Sequence, residues 1–60
     1  MRYKRFDVVE LNNGNRATIL ETLGGKYLAE IVNGYGITLD KTIIKDNEIS
    51  KIIYSNDNIR

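Results

Sequence analysis

The chain contains no cysteine, no histidine, no proline and no tryptophan, and its 60 residues include one methionine. Without cysteine there is no disulfide, and without cysteine or histidine there is no ordinary structural zinc site. The same absences remove Ser-His-Asp and Cys-His nucleophile systems, imidazole acid–base work and thiolate chemistry. No apolar run approaches the roughly 18 residues of a membrane helix. No charge dominates either: 9 Lys and Arg against 8 Asp and Glu leave a net charge of +1. That balance excludes a strong binder of nucleic acid acting through total charge. The start, Met1-Arg2-Tyr3-Lys4-Arg5, is basic but leads into no apolar block of signal-peptide length. The expectation is a cytoplasmic protein with no membrane contact, and the lack of cysteine agrees. There is no internal repeat, linker or low-complexity segment, so residues 1–60 read as one small domain. A domain of this size buries only about 60% of its unfolded surface, which makes its core marginal.

What is present favours strands. Val, Ile and Thr fill 16 positions, whereas Ala, the best helix former, fills two. Turn signals recur about every ten residues. They are Asn12-Asn13-Gly14-Asn15, Gly24-Gly25, Asn33-Gly34-Tyr35-Gly36 and Lys45-Asp46-Asn47-Glu48. Between them lie Phe6–Leu11, Arg16–Leu23, Lys26–Val32, Ile37–Ile44 and Ile49–Tyr54. The fold class is therefore all-β. Five strands form an antiparallel meander, as a small barrel or strongly curled sheet, with a short helical turn near 45–50. Ile49, Ile52 and Ile53 have helical spacing behind Asp46, but their β-branching favours a turn followed by a strand. Residues 55–60 carry no pattern and are expected to fray.

The hydrophobic pattern also proposes a register. A loop Leu23-Gly24-Gly25 places Ala17 opposite Ile31, Ile19 opposite Ala29 and Leu20 opposite Leu28, with Glu21 beside Tyr27. A two-residue Gly24-Gly25 loop instead sets charged residues against apolar ones. A loop Asn33-Gly34-Tyr35 pairs Ile31 with Ile37 and Ala29 with Leu39. The expected core is Val9, Leu11, Ala17, Ile19, Tyr27, Ala29, Ile31, Ile37, Leu39, Ile43, Ile49 and Ile52. A second apolar stripe, Val8, Leu20, Leu28 and Val32, then lies on the outer face. Apolar side chains clustered on adjacent strands suggest a partner protein or a homo-oligomer.

Three groups of residues carry candidate chemistry. Arg2, Tyr3, Lys4 and Arg5 combine cations for phosphates with a ring for base stacking, and Arg16, Lys26 and Tyr35 extend the set. The plain alternative is an edge kept soluble by charge. Asp7, Glu21, Asp40 and Glu10 are the carboxylates that a metal-dependent DNA-nicking enzyme would need to converge. Their plain alternative is cross-strand pairing with Lys and Arg. Asn12-Asn13-Gly14-Asn15 reads best as a tight turn. The two glycine pairs lack the strand–loop–helix setting of a phosphate loop. No catalytic residue, metal or cofactor is assigned.

Several runs together resemble a known family. They are Phe6-Asp7-Val8-Val9-Glu10-Leu11, Ala17-Thr18-Ile19-Leu20-Glu21, Tyr27-Leu28-Ala29-Glu30-Ile31 and Asp46-Asn47-Glu48-Ile49 before Lys51-Ile52-Ile53. Their layout resembles small Src-homology-three-like barrels of the KOW and Tudor type. The resemblance implies a small barrel and contact with nucleic acid or a nucleic-acid machine. Ala17 stands where KOW domains usually place glycine, and there is no aromatic cage for methyl-lysine. Length, strand content and an AT-rich residue choice are also similar to phage- or plasmid-encoded counter-defence proteins, including anti-CRISPR inhibitors. The leading expectation is a non-enzymatic accessory protein of a phage or mobile element. It would contact DNA, RNA or a nucleic-acid-acting enzyme and inhibit a host defence nuclease. The alternatives are a protein-interaction module using the apolar stripe, and the nicking enzyme.

Overall fold

The structure, a computed structural model, describes residues 3–56. It is all-β. The strands are β1 (Val8–Leu11), β2 (Arg16–Thr22), β3 (Lys26–Val32), β4 (Thr38–Lys45) and β5 (Ile49–Tyr54), with a 3₁₀ turn at Asp46–Glu48. They form one antiparallel sheet in the order β4-β3-β2-β1-β5. β4 and β5 are thus the two edges, yet only three residues join them. The sheet must curl until its edges approach each other at that end. It does not close, because no ladder joins β4 to β5.

Turn chemistry sets the hairpins. The β1–β2 and β3–β4 loops share one geometry. Leu11 N–H donates to Asn15 O and Asn33 N–H to Ile37 O, and Gly14 (φ 93°) and Gly36 (φ 81°) occupy the left-handed position. Each is a three-residue loop ending in a residue that only glycine adopts cheaply. Asn33 Oδ1 fixes its loop by accepting the N–H groups of Tyr35 (2.8 Å) and Ile37 (3.1 Å). The β2–β3 loop differs from expectation. Leu23 N–H donates to Lys26 O, and Gly24 and Gly25 both have positive φ, at 59° and 100°. That is a two-residue type I′ hairpin. Ala17 still faces Ile31 and Ile19 still faces Ala29, because a bulge after Ile19 absorbs the difference. Beyond it Glu21, not Leu20, lies opposite Leu28, and Thr22 opposite Tyr27.

The core comprises Val9, Leu11, Ala17, Ile19, Tyr27, Ala29, Ile31 and Ile44, with Tyr3 and Ile49 packed against it. Ala17 beside Ile31 and Ile19 beside Ala29 alternate small with large, which fills a tapering interior. Four expected core residues are exposed: Ile37 (59%), Leu39 (51%), Ile43 (45%) and Ile52 (42%). The cause in β4 is a net shift of three residues from the expected pairing, two from the loop and one from an irregularity. The loop is Gly34-Tyr35-Gly36, not Asn33-Gly34-Tyr35. An irregularity after Thr38 then pairs Ile31 with Asp40, Ala29 with Thr42 and Tyr27 with Ile44. A slip by an odd number of residues exchanges the two faces, so Ile44 enters the core and Ile43 leaves it. Ile52 does pair with Val9, but on an edge with no neighbouring strand.

Strand β1 begins at Val8 rather than Phe6, because Lys4–Asp7 closes a turn. Asp7 N–H donates to Lys4 O, and Phe6 adopts a left-handed φ of 71°. The start of the C-terminal segment is tied down. Asn56 N–H donates to Asp7 Oδ1, and Lys4 Nζ donates to Ser55 Oγ. Residues 57–60, the rest of the expected frayed tail, lie outside the described residues.

Candidate nucleic-acid interface

The N-terminal turn is held from below by one buried carboxylate. Asp7 is 1% exposed. Its Oδ2 accepts Lys4 N–H at 3.0 Å, its Oδ1 accepts Asn56 N–H at 2.7 Å, and Lys4 Nζ lies 3.5 Å from Oδ1. Burial of a carboxylate is tolerated when backbone donors and a cation replace its water. The clasp ties the chain before β1 to the chain after β5. It presents Tyr3, Lys4 and Arg5 with Thr22 and Asn56 around an open depression of about 500 Å³. Arg5 Nε donates to Leu20 O, and its guanidinium carbon lies 5.2 Å from the centroid of the exposed Phe6 ring. Tyr3 packs edge-on to Tyr27, with ring centroids 5.7 Å apart. Tyr27 is fully buried and donates its hydroxyl to Asp46 Oδ1 at 2.6 Å, which anchors the 3₁₀ turn.

The expected phosphate-facing residues divide into two groups. Tyr3, Lys4 and Arg5 border the depression with Thr22, and Lys26 lies at the same end of the sheet, next to Tyr27, the ladder partner of Thr22. Lys45, which the sequence reading missed, joins them, because Lys26 and Lys45 are directly opposite in the β3–β4 ladder. Like charges so placed destabilise a sheet, and an anion between them would relieve the repulsion. Of the carboxylates at this end, Asp7 is buried, Asp46 is bonded to Tyr27, Glu48 accepts the Lys45 N–H at 2.8 Å, and Glu21 is exposed. Arg16 and Tyr35 lie at the other end, about 20 Å away along the strands. Arg16 pairs with Glu10 of β1, the cross-strand arrangement of a solvated face. Tyr35 projects from its loop with 90% of its surface exposed. Arg2 lies outside the described residues.

The outer apolar residues Val8, Leu20, Leu28 and Val32 are all half-buried. Leu28 is extended by Ile43, directly opposite it on β4. Glu30 separates Leu28 from Val32 along β3, and Val8 lies opposite Thr18 and Tyr54. The carboxylates Asp7, Glu10, Glu21 and Asp40 do not converge. Among the described residues no three acidic side chains form a metal-sized cluster. Asn12 serves structure, its side-chain amide donating to Asn47 O at 2.8 Å and its N–H to Glu48 O. No helix among the described residues is long and apolar enough to cross a membrane. No protein-family model, curated protein or solved structure matches the chain.

Proposed function

We propose that the protein is a non-enzymatic binding module that contacts nucleic-acid phosphates through the end carrying Lys4, Arg5, Lys26 and Lys45. The observation behind this reading is the Lys26–Lys45 cross-strand pair at the end that carries the cationic turn. A local cluster answers the objection from net charge, because screened charges act over about 8–10 Å rather than over the whole molecule. The Phe6 ring, exposed beside the Arg5 guanidinium, suits base stacking, whereas Tyr3 packs edge-on to Tyr27. Arg16 and Tyr35 are not part of this contact, since they lie at the opposite end.

The test is a fluorescence-anisotropy titration of a short labelled single-stranded oligonucleotide between about 50 and 200 mM salt. Affinity is expected to fall steadily with salt and to fall further in a Lys26→Gln/Lys45→Gln double variant. Absent binding, or weak binding equal at all salt concentrations, refutes phosphate contact. A second reading, a protein contact at the Leu28–Ile43 pair, draws on the apolar continuity of those two residues across β3 and β4. Leu28→Asp is then expected to abolish partner capture while the oligonucleotide titration is unchanged.

A further inference from the structure

Five of the described residues have positive φ, and four of them are glycines: Gly14, Gly24, Gly25 and Gly36. The fifth is Phe6, at 71°. Asp7 N–H donates to Lys4 O at 3.1 Å, so Phe6 is the third residue of the turn Lys4–Asp7, and its φ makes that turn type II. The third position of such a turn suits glycine or asparagine, and a bulky side chain there is strained. Hydrogen bonds hold the turn against the strain. Phe6 N–H donates to Ile19 O at 2.6 Å, Arg5 Nε donates to Leu20 O at 3.2 Å, and Asp7 Oδ2 accepts Lys4 N–H at 3.0 Å.

Packing does not account for the ring. Phe6 is 51% exposed, and it belongs neither to the buried core nor to the residues packed against it. The Arg5 guanidinium lies over the ring, its carbon 5.2 Å from the centroid. That leaves the exposed half of the residue as a stacking surface beside Lys4 and Arg5. A strained residue that the core does not use points to a contact outside the chain. The chemistry of the neighbours defines that contact. Cations hold phosphates whatever base they carry, whereas an aromatic face acts on a base that is unpaired and turned out of its stack.

We propose that Phe6 is the base-binding residue of this end. The ligand is a single-stranded nucleic acid, one unpaired base of which stacks on the Phe6 ring while Lys4 and Arg5 take the flanking phosphates. This rests on the phosphate contact proposed above and adds the ligand class to it.

The test titrates the whole chain with two labelled strands, a thymidine octamer and an octamer of abasic sites with the same phosphates. The thymidine strand is expected to bind about tenfold more tightly, with the same dependence on salt. Phe6→Leu keeps an apolar side chain and should bring the ratio to about one while leaving the abasic strand's affinity unchanged; Phe6→Tyr should keep the ratio. If Phe6→Leu fails to fold, Phe6→Gly decides, because glycine relaxes the turn. Phe6→Gly should also unfold at higher urea than Phe6→Ala, since both lack the ring and only glycine adopts this φ cheaply; the reverse order contradicts the strain. Equal, salt-dependent binding of the two strands overturns this proposal and leaves the phosphate contact standing. A ring that serves a protein partner would give that result. A ratio unchanged in Phe6→Leu or Phe6→Gly also overturns it. Binding of neither strand removes the phosphate contact itself, and this proposal with it.

Discussion

Asp7→Asn isolates the clasp on which the N-terminal turn depends. The carboxylate accepts two backbone N–H groups, from Lys4 at 3.0 Å and from Asn56 at 2.7 Å, in a site that is 1% exposed. Asparagine keeps the shape but has one acceptor oxygen, and its amide points N–H groups at the other donor. One charge-assisted bond, worth about 1.5–3 kcal/mol, is lost, and a buried donor is left facing a donor. The Lys4 ion pair adds little, because the lysine side chain is 53% exposed and screened by water. The expected loss is about 2–3 kcal/mol, out of a total stability of roughly 3–9 kcal/mol for a chain this short. In urea, with a slope of about 1 kcal/mol/M for so small a domain, the midpoint falls by about 2 M. Circular dichroism through the urea transition reads it directly. Asn56→Ala is the control. It leaves the backbone donor in place and removes one exposed side-chain contact to Arg5 O, so it should cost no more than about 0.5 kcal/mol. Asp7→Asn and Asn56→Ala with indistinguishable midpoints would refute the clasp.

Further outcomes follow from single contacts. Tyr27→Phe removes the 2.6 Å bond to Asp46 and should cost about 1–2 kcal/mol by thermal or urea unfolding; an unchanged midpoint would mean the 3₁₀ turn is anchored otherwise. Gly25→Ala puts a β-carbon on a φ of 100° and should destabilise by about 1 kcal/mol or more, although nothing lies within 4 Å of that carbon. Lys26→Glu separates stability from binding: it relieves the pair with Lys45 and should stabilise by about 0.5 kcal/mol while weakening oligonucleotide binding. Stability and affinity falling together would contradict the placement of that pair.

The strands were legible because β-branched runs are separated by Asn and Gly, and seven of the eight buried core residues follow from alternation alone. Register was legible only where alternation is uninterrupted. Ala17, Ile19, Ala29 and Ile31 pair as the pattern requires. Around Gly24-Gly25 the pattern favours a bulged three-residue loop Leu23-Gly24-Gly25, whereas both glycines have positive φ, the turn is type I′ and the bulge lies after Ile19. Bulges leave no compositional mark, and the one after Thr38 moved Ile43 out and Ile44 in. The proposed contact surface draws on both sequence and register. Tyr3, Lys4 and Arg5 are adjacent in sequence, and their shared setting needs no tertiary knowledge. Lys45 lies beside Lys26 only through the β4 register, and β2 carries Arg16 to the far end of the sheet. Asp7 read as a candidate metal ligand. Its structural role depends on Asn56, 49 residues away, and no local pattern reports that.

The central claim is that four cations act together at one end, and the slope of log affinity against log salt for a single-stranded oligonucleotide measures their number. Four phosphate contacts give a slope of about −2.8, at about −0.7 for each contact. Lys26→Gln/Lys45→Gln should bring it to about −1.4, and Arg16→Gln/Lys41→Gln should leave it near −2.8. Equal slopes for the two double variants, or a parent slope near zero, would contradict the account.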